Sequence, residues 1–234
     1  MAITDWISAV GTLVMALVAI VAIFQDKIRA WLMRPRLRVS ISVAPPDCQK
    51  TKMRYSLPSP DVNAPARERM ADVYYFRLRV SNSGNQKAES VEVFVAQLSR
   101  QQADGSFRVV DSFLPMNLVW SHFRQMLLPA ISPGTYKHCD LGYILDPQSR
   151  KMIPGEHTTW PNVPPDKTIL TLDTVVKPYT LSYLLPFGTY HLVILVAAAN
   201  AKAIKNTLEV RVTGDWYDDE REMLGQGIGI RLLH

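Results

Sequence analysis

Residues 73–98 read VYYFRLRVSNSGNQKAESVEVFVAQL, and this stretch decides the fold. Apolar residues alternate with polar or aromatic ones through Tyr74, Phe76, Leu78 and Val80, and the alternation resumes at Val91. Successive side chains of a strand point to opposite faces of a sheet, so this period of two predicts half-buried antiparallel strands. The intervening residues 82–85, Asn-Ser-Gly-Asn, are typical of a turn because glycine and asparagine tolerate positive φ. The stretch therefore predicts two antiparallel strands joined by a turn.

The same alternation recurs on both sides of this stretch. It is present in RLRVSISV at 36–43, in TYHLVILVAAAN at 189–200 and in AIKNTLEVRVT at 203–213. Asp104-Gly105 is a hairpin signal before Phe107, and a further strand is expected between Tyr136 and Tyr143. Together these segments predict a mainly β protein with roughly seven or eight strands in two sheets.

The run FRLRVSNSGNQKAESVEVFV resembles a known strand-turn-strand unit. It is similar to immunoglobulin-like sandwiches of the CARDB and related adhesion type, in which an apolar strand ends in an Asn-x-Gly turn. A small residue and an alternating valine strand then follow. The resemblance covers residues 73–98 and implies a fold, an immunoglobulin-like antiparallel β-sandwich, without implying an activity.

The N-terminus has a different character. The nineteen residues from Trp6 to Phe24 contain no charged residue, and a helix of this length covers about 28 Å, close to the hydrocarbon thickness of a bilayer. A soluble core helix would keep a polar stripe, and a signal peptide would need a basic N-terminal region and a better cleavage site than Ala22-Ile23-Phe24. We therefore expect one transmembrane helix with a basic extension over residues 6–34, preceded by a short extracytoplasmic tail at 1–5.

Flanking residues predict the orientation of this helix. The basic residues that follow the span, against one acid, are Lys27, Arg29, Arg34, Arg36 and Arg38. The positive-inside rule then predicts a single-pass protein with its N-terminus outside and residues 35–234 in the cytoplasm. A secreted adhesin would not have its basic excess on the domain side. Trp6, Phe24 and Trp31 lie where interfacial aromatic residues are expected.

The distribution of charged residues along the chain limits which classes of binding partner are expected. The chain has 26 basic and 21 acidic residues, but residues 55–234 contain eighteen of each. The basic excess therefore belongs to the segment beside the helix, which predicts attraction to anionic lipid headgroups. A nucleic-acid interface would need that excess on the folded domain, so we expect no nucleic acid as partner.

Small residues form one stripe along the span. They recur at intervals of three or four residues and are Ser8, Thr12, Ala16, Ala19 and Ala22. Such a stripe allows two membrane helices to approach closely, which predicts a homo-oligomer paired through the helix. The alternative is that these residues, which are common in single spans, have no pairing role.

The sequence contains no recognised catalytic or cofactor motif. A nucleophile elbow, a P-loop, a dinucleotide fingerprint and a zinc-protease motif are all absent. His138, Cys139 and Asp140 are consecutive, and neighbours on a strand point to opposite faces, so they cannot share a metal easily. Cys48 and Cys139 have no CxxC partner and are expected to be free thiols. We expect no enzyme activity, no cofactor and no metal.

Three segments do not match a minimal sandwich. Proline-rich stretches predict long loops at 44–71 and 145–166, and residues 114–132 predict a short helix or an apolar crossover. Because long loops inside a domain are often functional, we expect the segments around Trp120 and Trp160 to contact a partner protein. The alternative for Trp160 is packing over the edge of the sandwich.

Two function classes follow from this organisation. The first is a membrane-anchored protein whose cytoplasmic sandwich is a protein–protein interaction or assembly module. The second is a membrane-tethered sensor that couples small-molecule binding to oligomerisation, with an anionic ligand near Arg77 and Arg79. A flat solvated surface at these two arginines would argue against the sensor, and a concave one would favour it. A role in a microbial defence or stress system is associated with this architecture but does not follow from residues.

Overall fold

The chain consists of an N-terminal helix followed by a two-sheet domain. A computed structural model describes residues 3–57, 67–122, 124–153 and 163–233, with the backbone alone at 3–5, 8–9 and 26–32. Helix α1 comprises Ile3–Leu32, and its side chains from residue 10 to residue 25 are exposed. Counting only the described residues, no helix is both long enough and apolar enough to cross a membrane.

The first sheet is antiparallel. Its strands are β1 Leu37–Ser40, β2 Cys48–Leu57, β3 Arg67–Asn82, β7 Val119–Trp120, β9 Tyr136–Leu145, β10 Leu170–Leu172 and β11 Leu184–Leu185. β3 is central, because it pairs with β9 on one side and with both β1 and β2 on the other. Its register places Arg77 opposite Asp140 and Arg79 opposite His138.

The second sheet is also antiparallel and faces the first. Its strands are β4 Ala88–Gln101, β5 Phe107–Val109, β6 Met116–Asn117, β8 Leu127–Ile131, β12 Gly188–Ala198, β13 Ala201–Val212 and β14 Ile228–Leu233. β4 pairs with β12 along one edge. Along its other edge, different parts of β4 pair with the short strands β5, β6 and β8.

Two short helices close the far end of the domain. α2 is Pro147–Met152, and the side chain of Asp146 caps its first backbone amides. α3 is Glu220–Glu222, capped by Asp219 and continued by a π-turn at Met223–Gly227. The acidic residues Glu220 and Glu222 lie in the first turn of α3.

The core lies between the two sheets. The inward residues predicted from alternation, including Leu78, Val80 and Val93, are completely buried. Burying each side chain of this kind contributes about 1.5–3 kcal/mol relative to exposure. The predicted mainly β, two-sheet antiparallel sandwich is therefore confirmed, and its architecture is compatible with an immunoglobulin-like fold.

The segments that the sequence predicted as irregular contain regular structure. The loop predicted at 44–71 is wrong for 48–57 and 67–71, which form a long hairpin of β2 and β3. β2 does alternate between Lys52 and Leu57, with Met53, Tyr55 and Leu57 packed in a small apolar cluster and the residues between them exposed. Within 145–166, residues Pro147–Met152 are helical, and 154–162 lie outside the described residues. The described part of 114–132 contains no helix and is a crossover, in which β6 and β8 belong to the second sheet and β7 to the first. The strand predicted at 36–43 ends at Ser40.

Candidate functional site

The connection between α1 and the sandwich is tightly hydrogen-bonded. Asn82, at the end of β3, is 1% exposed, and its Oδ1 accepts hydrogen bonds from the backbone amides of Arg36 (3.0 Å) and Gly84 (3.0 Å). Its Nδ2 donates to the carbonyls of Gln86 (2.7 Å) and Ile131 (3.0 Å). One buried amide thus satisfies all four of its hydrogen-bonding positions and ties the chain after α1 to two turns of the sandwich.

Gly84 allows this connection because of its size. A Cβ at position 84 would lie 2.3 Å from the carbonyl oxygen of Arg34 and 2.6 Å from the amide nitrogen of Arg36. Gly84 does not have a positive φ, so the expected reason for glycine in this turn was wrong. The glycine is required because another segment of backbone passes directly over it.

A polar network covers the outer face of the first sheet. Asp47, which is 1% exposed, accepts hydrogen bonds from Arg79 Nη2 (2.8 Å), His138 Nε2 (2.9 Å) and the amide of Ser42 (3.1 Å). Burial alone would raise the pKa of Asp47, but the hydrogen bonds from His138, Arg79 and Ser42 outweigh it and hold the pKa below its usual value. Asp47 is therefore an ionised carboxylate at neutral pH.

A second pair continues this network. Arg77 Nε donates to Asp140 Oδ1 at 3.1 Å, and the Ser121 hydroxyl donates to the same oxygen at 2.6 Å. Arg124 extends it from the neighbouring loop and donates to buried Asp173 at 2.7 Å. Each arginine in this network thus has its own carboxylate.

This pairing changes the expectation for Arg77 and Arg79. The structure brings both predicted ligand-binding residues to one sheet face, but each forms an ion pair with a carboxylate that is almost fully buried. The Arg77 side chain is 16% exposed and that of Arg79 33% exposed. The charges of both arginines are therefore engaged by carboxylates within the protein.

The predicted partner-contact residues differ in placement. Trp120 is 1% exposed and its Nε1 donates to the carbonyl of Val91 at 3.2 Å, so it belongs to the core. Its predicted role as a surface contact is corrected, because burial between the sheets removes it from any partner. Trp160 lies outside the described residues. Exposed apolar side chains do flank Trp120 in sequence, among them Leu114, Met126 and Leu127.

The predicted membrane-facing residues lie on α1 and directly after it. Trp6 and Phe24 are exposed, as are Thr12, Ala16, Ala19 and Ala22 of the small-residue stripe. Arg34, Arg36 and Arg38 are exposed at the start of the sandwich. The side chains of Ser8, Lys27, Arg29 and Trp31 lie outside the described part of the chain.

The sequence reasoning missed the acidic members of the network. His138 and Asp140 are two residues apart on β9, and Arg77 and Arg79 are two residues apart on β3. Opposite charges at this spacing on adjacent strands indicate cross-strand pairing, so this signal was present once the register was known. Asp47 had no such signal because it precedes β2.

The cysteines and possible metal ligands add no reactive centre. Cys48 and Cys139 are free and buried, and burial raises the pKa of the Cys48 thiol to about 12. Within the described ranges, no three His, Cys, Asp or Glu residues are grouped so that they could hold a metal ion. Comparison with protein-family models, with curated proteins and with solved structures gave no significant match.

Proposed function

We propose that this chain is a single-span membrane protein whose β-sandwich serves as an assembly module on the cytoplasmic side. The observation that carries the proposal is the character of α1. Its described side chains are exposed along the helix, with Leu13 at 64%, Met15 at 70% and Ile23 at 75%. Water would surround this apolar surface at high free-energy cost, whereas lipid tails would solvate it.

The sequence of the whole helix supports an anchor. Trp6 to Phe24 contains no charge, and the basic residues all follow the apolar run. The hydrogen bonds of Asn82 and the close backbone contact at Gly84 support a fixed position of the sandwich beside the lipid headgroups. The exposed Arg34, Arg36 and Arg38 would then meet anionic lipid, where each basic residue contributes about 1 kcal/mol.

One flank of the sandwich supports self-assembly. An apolar groove of about 280 Å³ lies beside β6, and its lining includes Leu114, Met116, Met126, Val176 and Pro178. Val176 is 67% exposed and Met126 38% exposed. Exposed apolar patches on soluble domains often mark interaction sites.

The occupant that we propose for this groove is a second copy of the chain. Copies anchored in one membrane are confined to a surface, and this confinement raises their effective concentration for contact through the groove. The groove, with its exposed Val176 and Met126, carries this proposal.

The anchor is tested by placing charge in α1. Leu17→Arg combined with Val21→Arg is expected to release the protein from membranes, because each arginine opposes insertion by about 2.5–3.5 kcal/mol. The measurement is extraction of membranes at alkaline pH, with protease accessibility of the sandwich to report its side. Leu17→Ile with Val21→Ile should stay in the membrane fraction. Complete extraction of the wild-type protein would contradict the anchor.

Assembly is tested on the groove. Met126→Ser with Val176→Ser is expected to convert oligomers of the full-length chain into monomers, because both changes remove exposed apolar contact area without touching the core. The mass in lipid nanodiscs is the readout. Met70→Ser with Val109→Ser changes the same residue types at exposed positions outside the groove and should leave the mass unchanged. A monomeric wild-type protein would rule out self-assembly.

A further inference from the structure

A second pocket opens at the edge of the first sheet, where β9 begins. Its volume is about 240 Å³, and two buried core residues, Trp120 and Leu128, line it. The polar part of its lining comes from Ser121, His122, Tyr136, Lys137 and His138. The pocket therefore combines an apolar base with groups that can donate hydrogen bonds to an anion.

The electrostatics of this pocket favour negative charge. No carboxylate lines it, and Lys137 has no ion-pair partner among the residues that the structure describes. Asp47 and Asp140, which bond the lining residues His138 and Ser121, are each matched by an arginine. The guanidinium of Arg79 also lies 4.5 Å from the centre of the Tyr136 ring. The charge of Lys137 is thus left uncompensated at the pocket.

The imidazole of His138 is held in place from behind. Asp47 Oδ1 accepts from its Nε2 at 2.9 Å, and the ring of Tyr136 contacts it edge-on at 5.4 Å. A carboxylate behind a histidine fixes the orientation of the ring, as it does for histidines that bind metals or substrates. His138 is therefore pre-organised at the wall of the pocket.

The loop that presents His122 has an unusual backbone. His122 has φ 71° and Arg124 has φ 53°, both in the left-handed region that non-glycine residues avoid. Hydrogen bonds hold this loop in its conformation. The Trp120 amide donates to the Gln125 carbonyl, and the Ser121 amide donates to the His138 carbonyl. The Arg124 side chain donates to Asp173. Such backbone conformations persist only where the surroundings impose them, and they cluster at ligand sites.

We propose that this pocket binds a phosphate group, with Lys137 and His122 around its oxygens. Lysine binds phosphate as a point charge, and the several donors match the several oxygens of the group. The pocket volume of about 240 Å³ leaves room for a phosphate group.

Free phosphate and a lipid headgroup share this chemistry. Tyr136 pairs with Ser81, which directly precedes the Asn82 that binds the chain after α1, so the pocket is close to that junction. A phosphomonoester headgroup could reach it if α1 spans a bilayer. The proposal does not depend on that anchor, because a soluble phosphate can fill the same pocket.

The test titrates inorganic phosphate into the full-length chain in maltoside micelles by calorimetry. We expect saturable binding that weakens at least about tenfold in Lys137→Met, since one charge-assisted hydrogen bond is lost. His122→Gly should weaken binding without loss of thermal stability, because glycine accepts the backbone of residue 122. Lys202→Met removes another exposed lysine and should bind like the wild type.

A second arm separates the two sources of phosphate. Native mass spectrometry would compare retention of phosphatidic acid with that of phosphatidylcholine by the same variants. Selective retention that requires Lys137 identifies a headgroup site, and Lys137-dependent binding of inorganic phosphate alone identifies a soluble ligand. Equal binding by the wild type and Lys137→Met, or saturable binding of neither probe, would overturn the proposal. If the anchor test failed, the proposal of a phosphate site would be unaffected.

Discussion

Gly84→Ala is expected to lower the free energy of unfolding by about 3 kcal/mol, at the upper end for overpacking. The added methyl group would lie 2.3 Å from the Arg34 carbonyl oxygen and 2.6 Å from the Arg36 amide, and both are backbone atoms that cannot rotate away. The two segments must separate, which breaks the bond from the Arg36 amide to Asn82 and leaves a buried acceptor short of a partner.

Thermal unfolding of the full-length chain measures this effect. A loss of about 3 kcal/mol corresponds to a decrease of roughly 6–12 °C in a domain of this size. Gly225→Ala is the matched control, because a Cβ there meets no atom within 4 Å. Similar melting temperatures for the two variants would show that the junction at Gly84 can open without cost, and the sandwich would then not be rigidly joined to α1.

Asp47→Ala should destabilise the sandwich by a comparable amount, about 3 kcal/mol. Removing the buried carboxylate leaves its hydrogen-bond donors without an acceptor. These donors are Arg79, His138 and the Ser42 amide. Asp111→Ala, which removes an exposed carboxylate, should change the stability by less than about 0.5 kcal/mol.

A double variant separates pairing from packing. Asp47→Ala with Arg79→Met removes both charges, so its destabilisation should be smaller than the sum of the two single effects. Strict additivity in chemical denaturation would show that Arg79 and Asp47 contribute independently. The outer-face network would then have no role in holding β3, β9 and the segment before β2 together.

Because Asp47 is ionised in the folded protein, the free energy of unfolding should depend on pH. The folded-state pKa of Asp47 lies below its unfolded value, so its contribution is complete above about pH 4–5 and is lost as the pH falls toward the folded pKa. The stability difference between the wild type and Asp47→Asn should therefore shrink between about pH 5 and pH 2. A constant difference across this range would mean that Asp47 is not the group being protonated.

The architecture followed from local patterns. The alternation in residues 73–98 predicted β3 and β4, because a strand between core and solvent must repeat every two residues. β2 was predicted as a loop because prolines flank it on both sides, although Met53, Tyr55 and Leu57 alternate with exposed polar residues. The apolar run of α1 also predicted a helix from sequence alone, and its placement in a membrane stays a prediction.

The candidate sites depended on contacts between distant residues. The alternation of Arg77 and Arg79 was visible, but their partners were known only from the structure. Asp140 reaches Arg77 through the pairing of β3 with β9, and Asp47 reaches Arg79 from the segment before β2. His122 and Lys137 had no sequence signal at all, because a pocket forms only when the loop after β7 folds back over the start of β9.

By itself, the sequence determined the class of the domain, the helix before it and the position of the basic residues between them. These properties depend on the period and charge of neighbouring residues. Only the tertiary structure decided that Gly84 is required by a passing backbone, that Asp47 neutralises Arg79 and that Trp120 is buried. Each of those depends on residues dozens of positions apart, whose meeting is set by strand register and sheet packing and not by any local pattern.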